Sequence, residues 1–204
     1  MKLHHRIARA YACGSPIEKI RDIDLIVPLS YSTLPHQLTA GTQIAAELAA
    51  FYQKDRFPGA PIAFTNAIHS EFPECDARER ELKKKLLGSA WLVPDIPSAH
   101  NSISEAEVIR ASLESSLRPG SRILVICGEM HSRRVRYIWE KVFPEMKIII
   151  RTFMVDFEYQ KDHPALVERY RWVWIAGSIV GEWATRILGI ERMRGARHIT
   201  SQSA

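Results

Sequence analysis

Short apolar runs alternate with amphipathic stretches along the chain, and this alternation constrains the fold more than any other feature. Residues 24–29 and 122–127 are apolar without alternation, as expected of strands covered on both faces. Residues 61–65, 90–93 and 147–155 have a similar character. We therefore predict an α/β sandwich of three layers, with a mostly parallel sheet of about five strands and helices on both faces.

Helical signals fill the gaps between these runs. They lie at residues 15–18, 44–52, 76–88, 102–117, 135–142 and 164–188. Ser102 and Glu105 have the spacing of a capping box, which predicts Ser102 as the N-cap of its helix. No repeat or long linker divides the chain, so we expect one domain over residues 1–204, with a short helical lead-in and a polar tail.

Composition and cysteine usage point to an ordinary globular protein. Hydrophobic residues make up 46% and charged residues 25%, and the net charge of +5 is spread along the chain. Cys13, Cys75 and Cys127 are far apart and lack the spacing of a metal site or a disulfide framework. This usage is typical of a reducing compartment, so we expect a cytoplasmic protein.

Several classes of function find no support in the sequence. The amino terminus lacks the apolar core of a secretory signal, and the apolar stretch at residues 172–181 is shorter than the ~20 residues of a membrane span. The glycine-rich, serine-hydrolase and zincin motifs are absent, which argues against ordinary dinucleotide, P-loop, hydrolase and zinc sites. No basic stripe interleaves with aromatic residues, so no nucleic-acid partner is expected. The oligomeric state is not indicated.

Ligands of open parallel sheets bind outside the carboxyl ends of the strands. That rule selects the loops after the first four predicted strands as candidate binding elements. The candidate ligand-binding residues there are Ser30, Tyr31, Ser32, Asn66, Asp95, Asn101, Ser102, Gly128, Glu129 and Arg134. Helix amino termini also point to this side of a sheet, and their N–H groups favour a small anionic ligand.

Among these loops, His131 and Arg134 are the pair of residues that most specifically suggests a catalytic site. An imidazole in the first turn of a helix can act as acid or base near neutral pH, and a guanidinium three residues later can clamp an anion. The alternative is that His131 only caps the helix and the arginine is solvated.

For the other candidate functional residues, a purely structural role is likewise an alternative. Glu105 is a second candidate catalytic residue, although the capping box explains it and Ser102 without a ligand. Asp95 is either a ligand group or a turn former. Cys127 ends a strand and is better explained as a buried, inert thiol than as a nucleophile. Glu182 needs a partner if its helix is buried, either an arginine or the site itself.

The polar segment at residues 69–76 contains His69, Glu71, Glu74, Cys75 and Asp76. It imitates a metal site without a recognised ligand spacing, so we predict solvent-facing side chains and no metal.

The ordered set of these segments resembles the YdcF-like and SanA-like family, also described as domain of unknown function 218. Residues 24–29 are similar to its opening strand, and Glu79 falls where the family has a glutamate in its second large helix. Residues 101–106 are similar to its Asn-Thr-x-x-Glu-Ala box, and His131 with Arg134 to its His-x-x-Arg-Ala motif. Gly181-Glu182-Trp183 and Leu188-Gly189 resemble its closing helix motif.

The resemblance covers roughly residues 22–190 and implies a Rossmann-like α/β sandwich of unsettled biochemistry. It implies S-adenosylmethionine as a possible cofactor, roles in bacterial envelope metabolism, and one site formed by Asn101, Glu105, His131 and Arg134. Two departures fall in the expected pocket. Residues 30–33 replace a glycine-rich turn, and Cys127 replaces a threonine.

Three functions follow as hypotheses. The first is an enzyme that acts on a small anionic ligand, phosphorylated or nucleotide-like, with Arg134 holding the anion, His131 moving a proton, and Asn101 and Ser102 orienting the substrate. The second is a module that binds S-adenosylmethionine or a nucleotide without converting it. The third is an interaction protein that docks a partner through the tryptophan-rich last helix.

Overall fold

A parallel three-stranded sheet lies at the centre of the protein, for which we describe a computed structural model. Its strands β1 (Leu25–Pro28), β2 (Arg122–Gly128) and β3 (Lys147–Phe153) lie in that order, with Val27 opposite Val125 and Val125 opposite Ile150. All four β1 residues are buried, as the unalternating apolar run predicts. The structure describes residues 2–31, 37–66, 74–88, 90–94, 96–155 and 169–195 of the 204-residue chain.

The other two predicted strands are reduced to single parallel bridges. Ile62 is bridged to Ile26 of β1, and Leu92 is bridged to Ile62. The bridged segments therefore lie beside β1 in the order 92, 62, β1, β2, β3. The prediction of about five strands is wrong, because residues 61–65 and 90–93 do not extend into ladders.

Pro28 explains why the ladder between β1 and the 61–65 segment stops. The Ile26 N–H donates to the Pro61 carbonyl at 3.0 Å, and the Ala63 N–H donates back to Ile26 at 2.9 Å. Amide groups alternate sides along a strand, so residue 28 faces the same neighbour as Ile26. Proline has no N–H to donate there, and the pairing ends after one bridge.

Within the described residues, six helices pack around the sheet and against one another. They are α1 (Leu3–Tyr11), α2 (Ala40–Asp55), α3 (Glu74–Leu87), α4 (Ser102–Leu113), α5 (Ser132–Val142) and α6 (Arg171–Gly195), with 3₁₀ turns at Ile17–Lys19 and Glu129–His131. The helix predicted at residues 15–18 is only the first of these turns, and α1 was not predicted. The predicted start of the last helix, residues 164–168, lies outside the described residues, and Gly189 kinks α6 with a φ of 74°.

The amino-terminal cap of α4 is one residue earlier than predicted. The Asn101 Oδ1 accepts hydrogen bonds from the N–H groups of Ile103 at 2.9 Å and Ser104 at 3.1 Å, and the Ser104 hydroxyl accepts from the Asn101 N–H at 3.0 Å. Ser102 is therefore the first helical residue and not the N-cap. Asparagine and serine are similarly effective N-caps. Asn101 takes this role because it has the extended conformation of an N-cap, whereas Ser102 is already helical.

The segment between α1 and β1 is tied to β3 and α5. The Ser15 N–H donates to the Ile150 carbonyl at 2.7 Å, and the Cys13 N–H donates to the Ser132 hydroxyl at 3.1 Å. Gly14 passes so close to β3 that an added Cβ would lie 2.6 Å from the Thr152 hydroxyl oxygen. The lead-in is thus part of the packed structure.

None of the helices in the described part of the chain combines the length and the hydrophobicity that crossing a bilayer requires.

Candidate functional site

A cavity of about 100 Å³ opens at the carboxyl end of β1, next to the start of α4. The residues that line it are Ser30, Thr65, Asn66, Ala99, His100, Asn101, Ser102 and Glu105. Five of these were predicted as candidate site residues from three separate loops, and the structure brings those five together. The predicted Ser32 and Asp95, together with residues 69–73, lie outside the described residues.

Glu105 is the acidic side chain of this cavity, and only 4% of it is exposed. Its Oε1 accepts hydrogen bonds from the Ser30 N–H at 3.2 Å and from the Thr65 hydroxyl at 2.9 Å. Since Oε1 accepts both bonds, the proton of the neutral carboxyl is best carried by Oε2. The first turn of α4 thus supplies both the cap and a buried acid.

Burial sets the pKa of Glu105. Removal from water raises the pKa from the ordinary 4.5 to about 7, since the charged form is disfavoured in a dry environment. The ammonium of Lys83 and the hydrogen bonds from Thr65 and Ser30 oppose this rise, and the carboxylate of Glu79 adds to it. A carboxyl with this pKa can both release and accept a proton near neutral pH.

A buried ion pair on α3 lies behind the cavity. Lys83 Nζ is 2.8 Å from the Glu79 carboxylate, with only 1% and 0% of these side chains exposed, and it also donates to the Thr65 carbonyl at 2.6 Å. The Ser30 hydroxyl donates to Glu79 while the Ser30 N–H serves Glu105. Ser30 therefore links the two carboxyl groups.

Sequence reasoning missed Lys83 as part of this network. The available signal was its i,i+4 spacing from Glu79, which usually marks a solvated pair on a helix surface. Only the packing of α3 against α2 and the sheet loops reveals that the pair is buried.

Asn66 shapes the cavity rather than offering a free group to it. Its backbone carbonyl accepts from the Ala99 N–H at 2.8 Å, and its side chain is fully buried. With the amide oxygen turned toward Arg80, it accepts from the guanidinium Nη2 at 3.1 Å and Nε at 3.0 Å. Arg80 also donates to the Ile96 carbonyl at 2.8 Å, so the loop before α4 is held in place.

Tyr31 connects the cavity to the predicted His131. The two rings stack with centroids 5.2 Å apart and planes 13° apart, and Trp174 of α6 lies 6.1 Å from the imidazole. The Tyr31 hydroxyl accepts a bond from the Gly128 N–H at 2.6 Å, which joins the ends of β1 and β2. His131 is half-buried and does not line the cavity itself, but its stacking partner directly follows Ser30.

Arg134 is half-buried and lies against the backbone of α6. A Cβ added at Gly181 would come within 2.6 Å of the Arg134 Nη1, so the glycine makes room for the guanidinium. Arg134 therefore lies against α6, His131 lies near Trp174 of the same helix, and neither residue lines the cavity.

Glu129 does not join the cavity either. It is buried in the turn between β2 and α5, against which α1 packs, and burial raises its pKa while Arg9 opposes the rise. Its Oε2 has no hydrogen-bond partner among the described residues. The structure thus separates Glu129 from the residues that line the cavity.

The remaining titratable candidates have structural explanations. Cys127 is fully buried, and burial raises the pKa of its thiol well above the ordinary value, so it stays protonated and unreactive. Glu182 pairs with Arg186 at 2.9 Å and accepts a bond from the Tyr11 hydroxyl. Within the described ranges, no three His, Cys, Asp or Glu side chains are grouped to hold a metal ion.

Comparisons of the chain with profiles of known protein families, with curated proteins and with solved structures gave no match.

Proposed function

We propose that this protein is an enzyme that moves a proton on a small anionic ligand, phosphorylated or nucleotide-like, bound at the carboxyl edge of the sheet. The observation that carries the proposal is the Glu105 carboxyl, which lines a polar cavity and has a pKa of about 7. Titratable groups with such a pKa are concentrated at catalytic sites, because acid–base transfer is most effective near the working pH.

In this proposal two groups of residues bind different parts of the ligand: the residues that line the cavity, and the pair Arg134 and His131. The cavity presents hydroxyl, amide and carboxyl groups, and the described residues that line it include no lysine or arginine. It suits a hydroxyl or another polar group that Asn101 and Ser102 orient and that exchanges a proton with Glu105. The anionic group meets Arg134, beside which His131 serves as the second acid–base residue.

The size of the cavity favours this division. Pockets that enclose whole small ligands begin at ~300 Å³, and a water molecule occupies ~30 Å³. About 100 Å³ therefore admits one functional group of a ligand. This favours partial insertion of a substrate over the alternative function, in which a complete S-adenosylmethionine or nucleotide is enclosed without conversion.

The order of the chain segments supports a Rossmann-like fold as part of the proposal. The order 92, 62, β1, β2, β3 corresponds to strands 3-2-1-4-5 of a doubly wound sheet, in which ligands bind where the order reverses, between the first and fourth strands. The Tyr31–His131 stack lies at that point. The resemblance to the YdcF-like family is a further, independent reason to place a site there.

The proposal is tested first by ligand screening. Thermal shifts are measured with inorganic phosphate, sugar phosphates, nucleoside phosphates and S-adenosylmethionine, since a ligand that binds only the folded protein raises its melting temperature. Compounds that bind are then incubated with the protein, and conversion is followed by mass spectrometry.

Three variants separate the roles. Glu105→Gln should lower turnover by roughly 100-fold or more while binding persists, and Arg134→Ala should weaken binding of the anion. His131→Phe keeps the stack on Tyr31 but removes the titratable ring, so it should also lose turnover. Glu140→Gln, an exposed glutamate on α5, is the matched control. Full activity of both Glu105→Gln and His131→Phe would overturn the proposal, and a bound adenosine cofactor that no condition converts would favour the binding module.

A further inference from the structure

The outer face of α6 is apolar and exposed. The exposed fractions are 51% for Val173, 66% for Val180, 62% for Trp183 and 74% for Ile187, and Ala176 on the same face is exposed as well. A helix on the surface of a domain normally presents polar residues to solvent. The opposite face of α6 is the one that packs on the domain through Trp174, Ile175, Ser178, Glu182 and Thr185.

The exposed residues follow a heptad pattern. Val173, Ala176, Val180, Trp183 and Ile187 are separated by three, four, three and four residues, which is the spacing of the a and d positions of a coiled coil. The a positions are then all β-branched, as is common at a in two-stranded coiled coils, while the d positions are Ala176 and Trp183. The seam ends at the Gly189 kink.

We infer that this heptad seam is the interface of a homodimer, occupied by α6 of a second copy of the chain. With Trp172 and Leu188 at its sides, 50% and 44% exposed, the seam presents on the order of 700 Å² of side-chain surface, close to the ~800 Å² per partner of a stable interface. Two copies of one heptad seam are complementary by construction, since each a or d side chain enters the space between its counterparts.

The charges beside the seam favour a protein partner over an anionic membrane surface. Helices that lie on membranes carry arginine and lysine on their polar side, available to lipid headgroups. Here the Arg186 side chain pairs with Glu182 and lies over the Tyr137 ring at 5.3 Å, and Arg171 contacts His4 Nδ1 at 3.3 Å. Both arginines are directed to the protein's own surface.

The test is sedimentation velocity on the full chain from about 1 to 100 μM, a range that covers weak and moderate dimers. Wild type should approach twice the 23.3 kDa of one chain. Val180→Glu and Ile187→Glu should each raise the dimer dissociation constant by at least about 30-fold, the effect of a central interface residue. Both sites are exposed in the single chain, so circular dichroism should show an unchanged fold.

Trp91→Glu is the matched control, because Trp91 is 60% exposed and lies outside α6. This variant should dimerise as wild type does. A wild-type protein that stays monomeric throughout the range overturns the inference, as does a dimer that survives both seam variants. Monomeric wild type that floats with phosphatidylglycerol vesicles, with flotation lost in Val180→Glu, would assign the seam to a membrane and equally overturn it.

Discussion

Replacing Glu105 by glutamine should change how stability depends on pH. The folded protein holds a proton on Glu105 up to a pKa of about 7, whereas the unfolded chain releases it near 4.5. Between these values the folded state binds more protons than the unfolded state, so stability falls as the pH rises. Stability associated with this group is fully present below pH 4.5 and is lost as the pH passes 7.

The magnitude follows from the shift itself. Each pKa unit corresponds to ~1.4 kcal/mol, so the rise amounts to about 3 kcal/mol of unfolding free energy at pH 8. Glutamine is neutral at every pH, and its amide oxygen can still accept the bonds from Ser30 and Thr65. Glu105→Gln should therefore match wild type at pH 4.5 and exceed it by about 3 kcal/mol at pH 8.

Urea unfolding at half-unit steps from pH 4.5 to 8 measures this difference. The contributions of groups that do not interact with Glu105 cancel in the comparison of the two curves, and Glu140→Gln on α5 should run parallel to wild type. A melting-temperature gain on the order of 10 °C at pH 8 is the thermal counterpart. If the Glu105→Gln and wild-type curves stay parallel across the range, Glu105 is not a neutral buried acid and the reasoning fails.

Four further substitutions, two of them combined in one variant, test the surrounding residues. Tyr31→Phe should destabilise the protein by ~1–3 kcal/mol in urea unfolding, because the buried N–H of Gly128 at the end of β2 loses its acceptor, while the ring stack remains. Lys83→Met should cost ~3–5 kcal/mol by leaving Glu79 as an unpaired buried charge, and adding Glu79→Gln should restore much of that loss. Gly181→Ala should displace the Arg134 guanidinium and weaken anion binding in a thermal-shift titration. Stability should not fall, since alanine favours the helix by up to ~1 kcal/mol. Unchanged anion affinity would argue against a ligand role for Arg134.

The sequence predicted the fold class where local pattern decides structure. The apolar runs at β1 and β2 are buried almost throughout, so continuous hydrophobicity identified them. β3 is only partly buried, and its β-branched residues identified it. The segments around Ile62 and Leu92 have similar composition but form only single bridges, and at Ile62 a missing hydrogen-bond donor limits the pairing with β1. Pro28 lacks a backbone N–H donor. The sequence alone does not tell which neighbouring strand that donor would face, so the effect of the proline on pairing could not be predicted.

The cavity was predictable in outline because parallel strands end at one edge. That rule placed Ser30, Asn66, Asn101 and Glu105 near one another without any knowledge of their contacts. The buried Lys83 was not predictable, since a charged helix reads as solvated until its packing partners are fixed. The stacking of His131 on Tyr31, outside the set of residues that line the cavity, was likewise not predictable from local pattern.

The hydrogen bond from the Ser15 N–H to the Ile150 carbonyl also protects the protein against aggregation. Among the described strands, only β2 pairs with β3, and the run of three isoleucines in β3 is typical of strands whose open edge recruits other chains into aggregates. The segment between α1 and β1 lies at that edge, where its Ser15 N–H donates a hydrogen bond to the Ile150 carbonyl. A shortened chain that starts near residue 22 would keep β1, β2 and β3 but lose the Ser15 hydrogen bond at this edge, and it should precipitate under conditions in which the full chain remains in solution.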